Sequence, residues 1–230
     1  MSNTKKFDAS KLSIVIPAFN EEKGITETLD SLVENFKGAE IIVVDDGSKD
    51  STTDRMKLYS DIKIIQHRYN RGYGASIKTG MLSAEREFIA WFDADNEHSA
   101  EVLKAMVIRL DEGNLAAVLG ERHKSVNIVR GTGKFFIRLL GRALQVKAGK
   151  DLNCGLRVFH RTVIIKYLDL LPDSYSASLT STMILTVRNY PYEFFPFECN
   201  ERIGQSKVAI SDGFEALMLV LRVIMLLAPL

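Results

Sequence analysis

An α/β fold built on a parallel sheet is what this sequence predicts, and three observations carry the prediction. Short apolar, β-branched runs alternate with stretches of helical periodicity through the first hundred residues. Those runs are continuous rather than alternating with polar residues, as expected of strands covered on both faces. Polar and acidic clusters follow the first, second and fourth runs: Asn20-Glu21-Glu22, Asp45-Asp46 and Asp93-Asp95. In a parallel sheet these positions share the carboxyl edge, where ligands bind.

Taken in order, Leu12 to Pro17 (LSIVIP) reads as a strand, and Ile25, Leu29, Leu32, Val33 and Phe36 follow at helical spacing. Gly38 ends that helix, and Glu40 to Val44 (EIIVV) forms a second strand running into Asp45-Asp46-Gly47-Ser48. Asp50 or Ser51 can cap the next helix. Lys63 to Gln66 is a third strand, Ala75 to Arg86 a third helix, and Phe88 to Phe92 a fourth strand ending at Asp93. The second half reads as a strand at Leu115 to Leu119, a basic amphipathic helix near Gly133 to Lys147, helices near Thr162 to Leu171 and Leu179 to Tyr190, and a strand around Tyr192 to Cys199. With no internal repeat or low-complexity linker, one catalytic unit is expected over residues 1–210.

A formal net charge of +1 argues against nucleic-acid binding through a global basic field. Cys154 and Cys199 stand far apart, so neither a disulfide scaffold nor a zinc site is indicated, and a reducing compartment fits. The N-terminal MSNTKKFDASK has no apolar centre, so the sequence predicts neither a signal peptide nor an anchor there and places the chain in the cytoplasm. Ala216 to Leu230 (ALMLVLRVIMLLAPL) is nearly all apolar, but its fifteen residues fall short of the roughly 20 that span a bilayer. Residues 211–230 are expected to form an apolar, membrane-proximal helix, either interfacial or part of a membrane segment.

Asp93-Ala94-Asp95 is the sharpest chemical feature. Two carboxylates one residue apart at a strand end can both reach a divalent cation, and oxygen donors select magnesium or manganese. Alone, such a pair is more often a turn or helix cap, but Asp45 and Asp46 stand at the equivalent end of a neighbouring strand. Those carboxylates can accept hydrogen bonds from a base or ribose while Gly47 lets the chain turn closely around a ligand, or they can form a capping turn. Asn70-Arg71-Gly72-Tyr73-Gly74-Ala75 lacks the third glycine of a dinucleotide fingerprint, and the first strand-to-helix turn has no glycine loop.

VIPAFNEE, VVDDGS, NRGYGASIKTG and FDADNEH, in that order, resemble the signature of the glycosyltransferase family 2 catalytic domain of the GT-A type. Gly120-Glu121-Arg122, Asp151 to Arg157 (DLNCGLR) and Arg202 to Lys207 (RIGQSK) are similar to its dolichyl- or polyprenyl-phosphate sugar synthase branch. The resemblance covers about Leu12 to Lys207 and implies a mixed, mostly parallel sheet flanked by helices.

It further implies that Pro17, Ala18, Asn20, Glu21, Asp46 and the Asn70 to Gly74 loop, with Gly72, line the nucleoside pocket. Asp93 and Asp95 would hold the metal and diphosphate, with Glu97 a third ligand where relatives often have Gln. Arg122, Arg138 and Arg202 would surround phosphates, and Lys207 would assist. Arg157 ends the segment where relatives commonly carry Ser-Gly-Phe-Arg, with Cys154 in place of that Ser and Leu156 of that Phe, and Thr180 to Thr186 has no acid where some relatives have a glutamate.

The implied reaction is an inverting displacement, from a nucleoside-diphosphate sugar to a polyprenyl phosphate at the cytoplasmic face of a membrane. The alternatives are a glycan hydroxyl as acceptor and a nucleotide-sugar-binding protein without turnover. A hydroxyl would require a general base, for which Asp151 is the candidate. A phosphate acceptor is already ionised near neutral pH, leaving Asp151 to position. Lys134, Arg138 and Arg142 step by four beside an apolar face, as in a helix lying on an anionic membrane or packed on the sheet with a solvated basic face.

Overall fold

The computed structural model describes residues 7–123, 151–201 and 203. Seven strands form one sheet in the order β3-β2-β1-β4-β6-β5-β7. They are β1 (Leu12–Ala18), β2 (Glu40–Asp45), β3 (Lys63–Gln66), β4 (Phe88–Trp91), β5 (Ala117–Arg122), β6 (Arg157–His160) and β7 (Tyr192–Phe197). β1 to β4 are mutually parallel and β7 pairs parallel with β5, whereas β6 runs antiparallel between β4 and β5. The sheet is therefore mixed and mostly parallel, as the resemblance implies.

The continuous apolar strands are explained by helices on both faces. Ile14 and Ile16 of β1 and Val43 of β2 share a core with α1 (Ile25–Asn35), α2 (Thr52–Met56) and α4 (Ala100–Glu112). On the opposite face, Val15, Ile42 and Val44 pack with α3 (Tyr73–Ser83), α5 (Arg161–Ile164) and α6 (Ala177–Val187). Successive side chains on a strand point to opposite faces, which divides the hydrophobic residues between two cores.

Two elements were not anticipated from the sequence. Helix α4 has its signals in place: Leu103, Met106, Val107 and Leu110 are buried at helical spacing, and the Ser99 side chain accepts from Val102 N. The polar stretch ahead of it reads as continued loop. Strand β6 has only four residues and begins with an arginine, so neither length nor composition announces it. The expected helix near Thr162 to Leu171 is the short α5 followed by a 3₁₀ segment, Ile165–Leu170. The basic segment 133–147 and the apolar segment 211–230 lie outside the described residues.

Close packing of α3 on β1 depends on Gly80, where a β-carbon would overlap Cγ1 of the fully buried Val15. Replacing an exposed helical glycine by alanine stabilises by about 1 kcal/mol. At this position overpacking should dominate, and Gly80→Ala is expected to lower stability by about 1–3 kcal/mol. Urea unfolding monitored by circular dichroism measures it; a raised midpoint would refute this packing of α3.

Candidate active site

The polar clusters do converge on the carboxyl edge, and side-chain hydrogen bonds tie their loops together. Pro17 and Ala18 end β1 beside Val44 and Asp45 of β2, and Asp46 N donates to Ala18 O at 2.8 Å. Asn20, held at φ 51°, receives Lys49 N on its Oδ1 at 2.7 Å, and its own amide donates to Ser48 Oγ at 2.9 Å. Glu21 N donates to Thr52 Oγ1 at 2.8 Å and Glu22 N to Asp50 Oδ2 at 3.2 Å. The loop after β1 is thereby fastened to the loop after β2.

Asp45 and Asp46 divide the labour. Asp45 accepts from Ser48 N, Thr53 Oγ1 and Gln66 Nε2, which makes the turn and anchors α2 and β3. Asp46 is 3% exposed and faces the other way. Its Oδ1 takes Arg71 N at 2.8 Å and sits 2.7 Å from His67 Nδ1, while its Oδ2 takes Gly72 N at 2.8 Å. The Asn70 to Gly74 loop is thus shaped by Asp46. Gly72 has φ 102°, and β-carbons at Gly72 and Gly74 would overlap the main-chain carbonyls of Asp173 and Pro172.

The 171–175 segment closes over that loop. Asp173 O accepts from Gly74 N at 2.8 Å and from Ala75 N at 3.3 Å, and Lys78 Nζ lies 2.5 Å from Asp173 Oδ1. Tyr175 stacks on Tyr73 with ring centroids 5.0 Å apart. Asn70, at the tip of the loop, is exposed.

Beyond β4, Asp95 is 4% exposed and accepts Glu97 N on Oδ1 at 3.1 Å. The Asp93 side chain keeps 24% of its surface open, and Tyr73 donates its hydroxyl to Oδ1 at 3.1 Å. Burial raises the Asp93 pKa; His98 opposes this, and the charges of Asp95 and Glu97 add to it. Burial is the larger cause, and the neighbouring carboxylates add the smaller part.

Among the described residues no three His, Cys, Asp or Glu side chains form a ready-made metal cluster. Glu97 instead pairs with Arg122, Oε1 to Nη1 at 3.1 Å, and Arg122 Nε reaches Asp151 Oδ2 at 2.6 Å. The donor set still fits a hard ion of the magnesium type, which takes one or two carboxylates and completes its shell with water and substrate phosphates.

Arg122 lies between two carboxylates. Burial lowers its pKa, but the hydrogen bond and charge of Asp151 prevail, so the guanidinium stays charged. Among the described residues Arg157 has no carboxylate partner: it is fully buried and donates to Cys154 O, Leu152 O, Ser181 Oγ and Thr182 Oγ1. It lashes the 151–156 segment to α6. Burial lowers its pKa and pushes the Cys154 thiol up to about 12, so Cys154 is a packing group.

Arg138, Arg202 and Lys207 lie outside the described residues. Tyr73, His67, His98 and Lys78 were not singled out from the sequence. The only signal available for Tyr73 was its place inside the glycine-flanked NRGYG stretch.

Comparison with known proteins places this geometry in context. A model described as glycosyl transferase family 2 matches residues 13–167. The chain is 28% identical over 187 residues to dolichyl-phosphate beta-glucosyltransferase of Dictyostelium discoideum, covering 70% of this chain and 57% of that one. It is 32% identical over 170 residues to undecaprenyl-phosphate 4-deoxy-4-formamido-L-arabinose transferase of Salmonella choleraesuis, covering 69% and 52%. The chain thus spans little more than half the length of these two relatives.

Among solved structures, glucosyl-3-phosphoglycerate synthase from Mycobacterium tuberculosis, in complex with Mn2+, uridine-diphosphate-glucose and phosphoglyceric acid, superposes with a TM-score of 0.73 at 18% identity. That alignment covers 94% of this chain and 82% of the other, and at this identity it establishes the shared fold.

Proposed function

The chain belongs to glycosyl transferase family 2, and from that premise we propose that it moves a sugar, with inversion and with the help of a divalent cation, from a nucleoside diphosphate to a polyprenyl or dolichyl phosphate. The observation that carries this reading is the pair Asp93 and Asp95 beyond β4, with Tyr73, which follows the loop pinned to Asp46, donating to Asp93. The names of the two relatives support the lipid phosphate as acceptor.

In this reading the nucleoside lies along the edge made by Pro17, Ala18, Asn20, Glu21 and the Asn70 to Gly74 loop. With both Asp46 oxygens engaged by Arg71, Gly72 and His67, the contribution of Asp46 is to hold this loop for the nucleoside. Asp93 and Asp95 hold Mg2+ or Mn2+, which supplies Lewis-acid stabilisation of the leaving diphosphate. Arg122, Arg138, Arg202 and Lys207 are assigned to phosphates by the family motifs. Glu97, as the partner of Arg122, serves to aim that guanidinium.

Asp151 favours the phosphate acceptor. Its Oδ2 is engaged by Arg122 at 2.6 Å and its Oδ1 by Asn153 N at 3.2 Å. To deprotonate a hydroxyl it would have to give up an ion pair that is largely shielded from water. A phosphate monoester attacks as an anion and demands no such base.

We place the reaction at the cytoplasmic face of a membrane. Among the described residues no helix is long and apolar enough to cross one. Attachment is assigned to the basic segment 133–147 and the apolar segment 216–230. Each Lys or Arg near an anionic leaflet contributes about 1 kcal/mol, and each buried CH₂ about 0.8 kcal/mol.

Three outcomes are expected. Asp95→Asn should lower transfer at least about a hundredfold and remove Mn2+-dependent binding of the nucleoside diphosphate, with an unchanged circular dichroism spectrum; titration calorimetry showing undiminished metal dependence would reject the assignment. Asp151→Asn should keep transfer to polyprenyl phosphate within about tenfold, whereas loss of a general base costs about 10²–10⁴; a loss of that larger size would favour the glycan-hydroxyl acceptor. The intact chain should sediment with anionic liposomes, less so in high salt or after removal of 216–230, and a chain left in the supernatant would count against the lipid acceptor.

A further inference from the structure

The Asp93 carboxylate is confined from three sides. Tyr73 donates its hydroxyl to Oδ1 at 3.1 Å. A β-carbon at Gly155 would overlap Oδ2, so the carboxylate rests directly on glycine backbone. On the third side stands His98, wedged edge-on between Phe92 and Phe197 with its side chain fully buried.

The Asp93 main-chain N–H donates to His98 Nδ1 at 3.4 Å. Among the described residues Nε2 has no hydrogen-bond partner, and it stands 3.8 Å from Asp93 Oδ2, so the ring closes off that side of the carboxylate by contact.

Tyr73 itself is rigidly placed. It follows Arg71 and Gly72, whose amides are bound to the buried Asp46, and it opens α3. Tyr175 stacks against its ring at an interplanar angle of 21°. Asp46 ends the β2 side of the edge and Asp93 the β4 side, with β1 between them. A single residue, Tyr73, therefore carries the order imposed by Asp46 across the sheet edge to Asp93.

We propose that Tyr73 is a positioning residue that fixes the Asp93 carboxylate for a divalent cation, with His98 as the opposing arm. The proposal rests on the reading that Asp93 and Asp95 hold such an ion. With Oδ1 engaged by the hydroxyl, the carboxylate is held in one orientation before the ion arrives, and less ordering remains to be done on binding. The hydrogen bond also makes the phenol a partner of the charged carboxylate, which keeps Asp93 ready as an oxygen donor.

Tyr73→Phe in the full chain is the test, because it keeps the ring and its stacking on Tyr175 and removes only the hydroxyl. The probe is Mn2+ alone, followed by titration calorimetry and by loss of its free-ion paramagnetic resonance signal, with Asp95→Asn marking the site being titrated. Wild type is expected to bind Mn2+ and Tyr73→Phe to bind it about tenfold or more weakly, with the metal-free melting temperature unchanged. Mn2+ affinity within twofold of wild type would overturn the proposal and leave the metal reading standing. A weakened affinity accompanied by a lower metal-free melting temperature would report general loosening and overturn it as well. If wild type binds no Mn2+, the metal reading falls and takes the proposal with it.

Discussion

The carboxylate of Asp46 is the constraint on which the site depends. It is almost completely shielded from water, and a buried charge persists only when it is fully hydrogen-bonded. Its partners are the amides of Arg71 and Gly72 and the ring of His67. His67 continues to Thr79, two turns into α3, through Nε2 and Oγ1 at 2.9 Å. One side chain at the end of β2 thereby fixes α3 at its start and again along its length, and with α3 the loop before it and the tyrosine that opens it.

A second organisation joins the two halves of the sheet. Glu97 follows β4, Arg122 ends β5 and Asp151 begins the segment that leads to β6, so the Glu97–Arg122–Asp151 row crosses the antiparallel insertion. Arg157, the first residue of β6, holds the same segment from beneath through four neutral oxygen acceptors. Buried arginine without a carboxylate is costly unless every contact is well made. Here the hydroxyls of Ser181 and Thr182 on α6 supply two of those contacts, which explains why these two polar residues lie in the interior of the protein.

The strands of the first half were legible because burial on both faces leaves an uninterrupted apolar run, as in Ile14 to Ile16 and Ile41 to Val44. Convergence of Asp46, Asp93 and Asp95 followed from strand direction alone. What periodicity could not convey was partnership. Nothing near Glu97 in the chain announces Arg122, and the pair exists because β6 brings β5 close to β4. Arg157 stands in the sequence as the last residue of the DLNCGLR motif, and nothing there shows that a four-residue strand carries it into the core. Tyr73 and His98 meet at Asp93 through a crossover and a tight turn, neither of which leaves a period in the sequence. Helix α4 is different: Ser99 and the spacing of Leu103 to Leu110 are signals of it in the sequence, although the helix was not anticipated.

The start of α3 has a consequence of its own. In a dinucleotide-binding fold the first-turn amides of such a helix face the pyrophosphate, and the positive end of the helix dipole helps to hold it. In this protein the amides of Gly74 and Ala75 are already taken by the main-chain carbonyl of Asp173, which arrives from the opposite half of the chain. That anion seat is closed from within. A diphosphate brought to this edge would meet a row of carboxylates and find two first-turn amides of α3 already engaged, so its charge would have to be balanced by cations, whether guanidinium groups or bound metal ions.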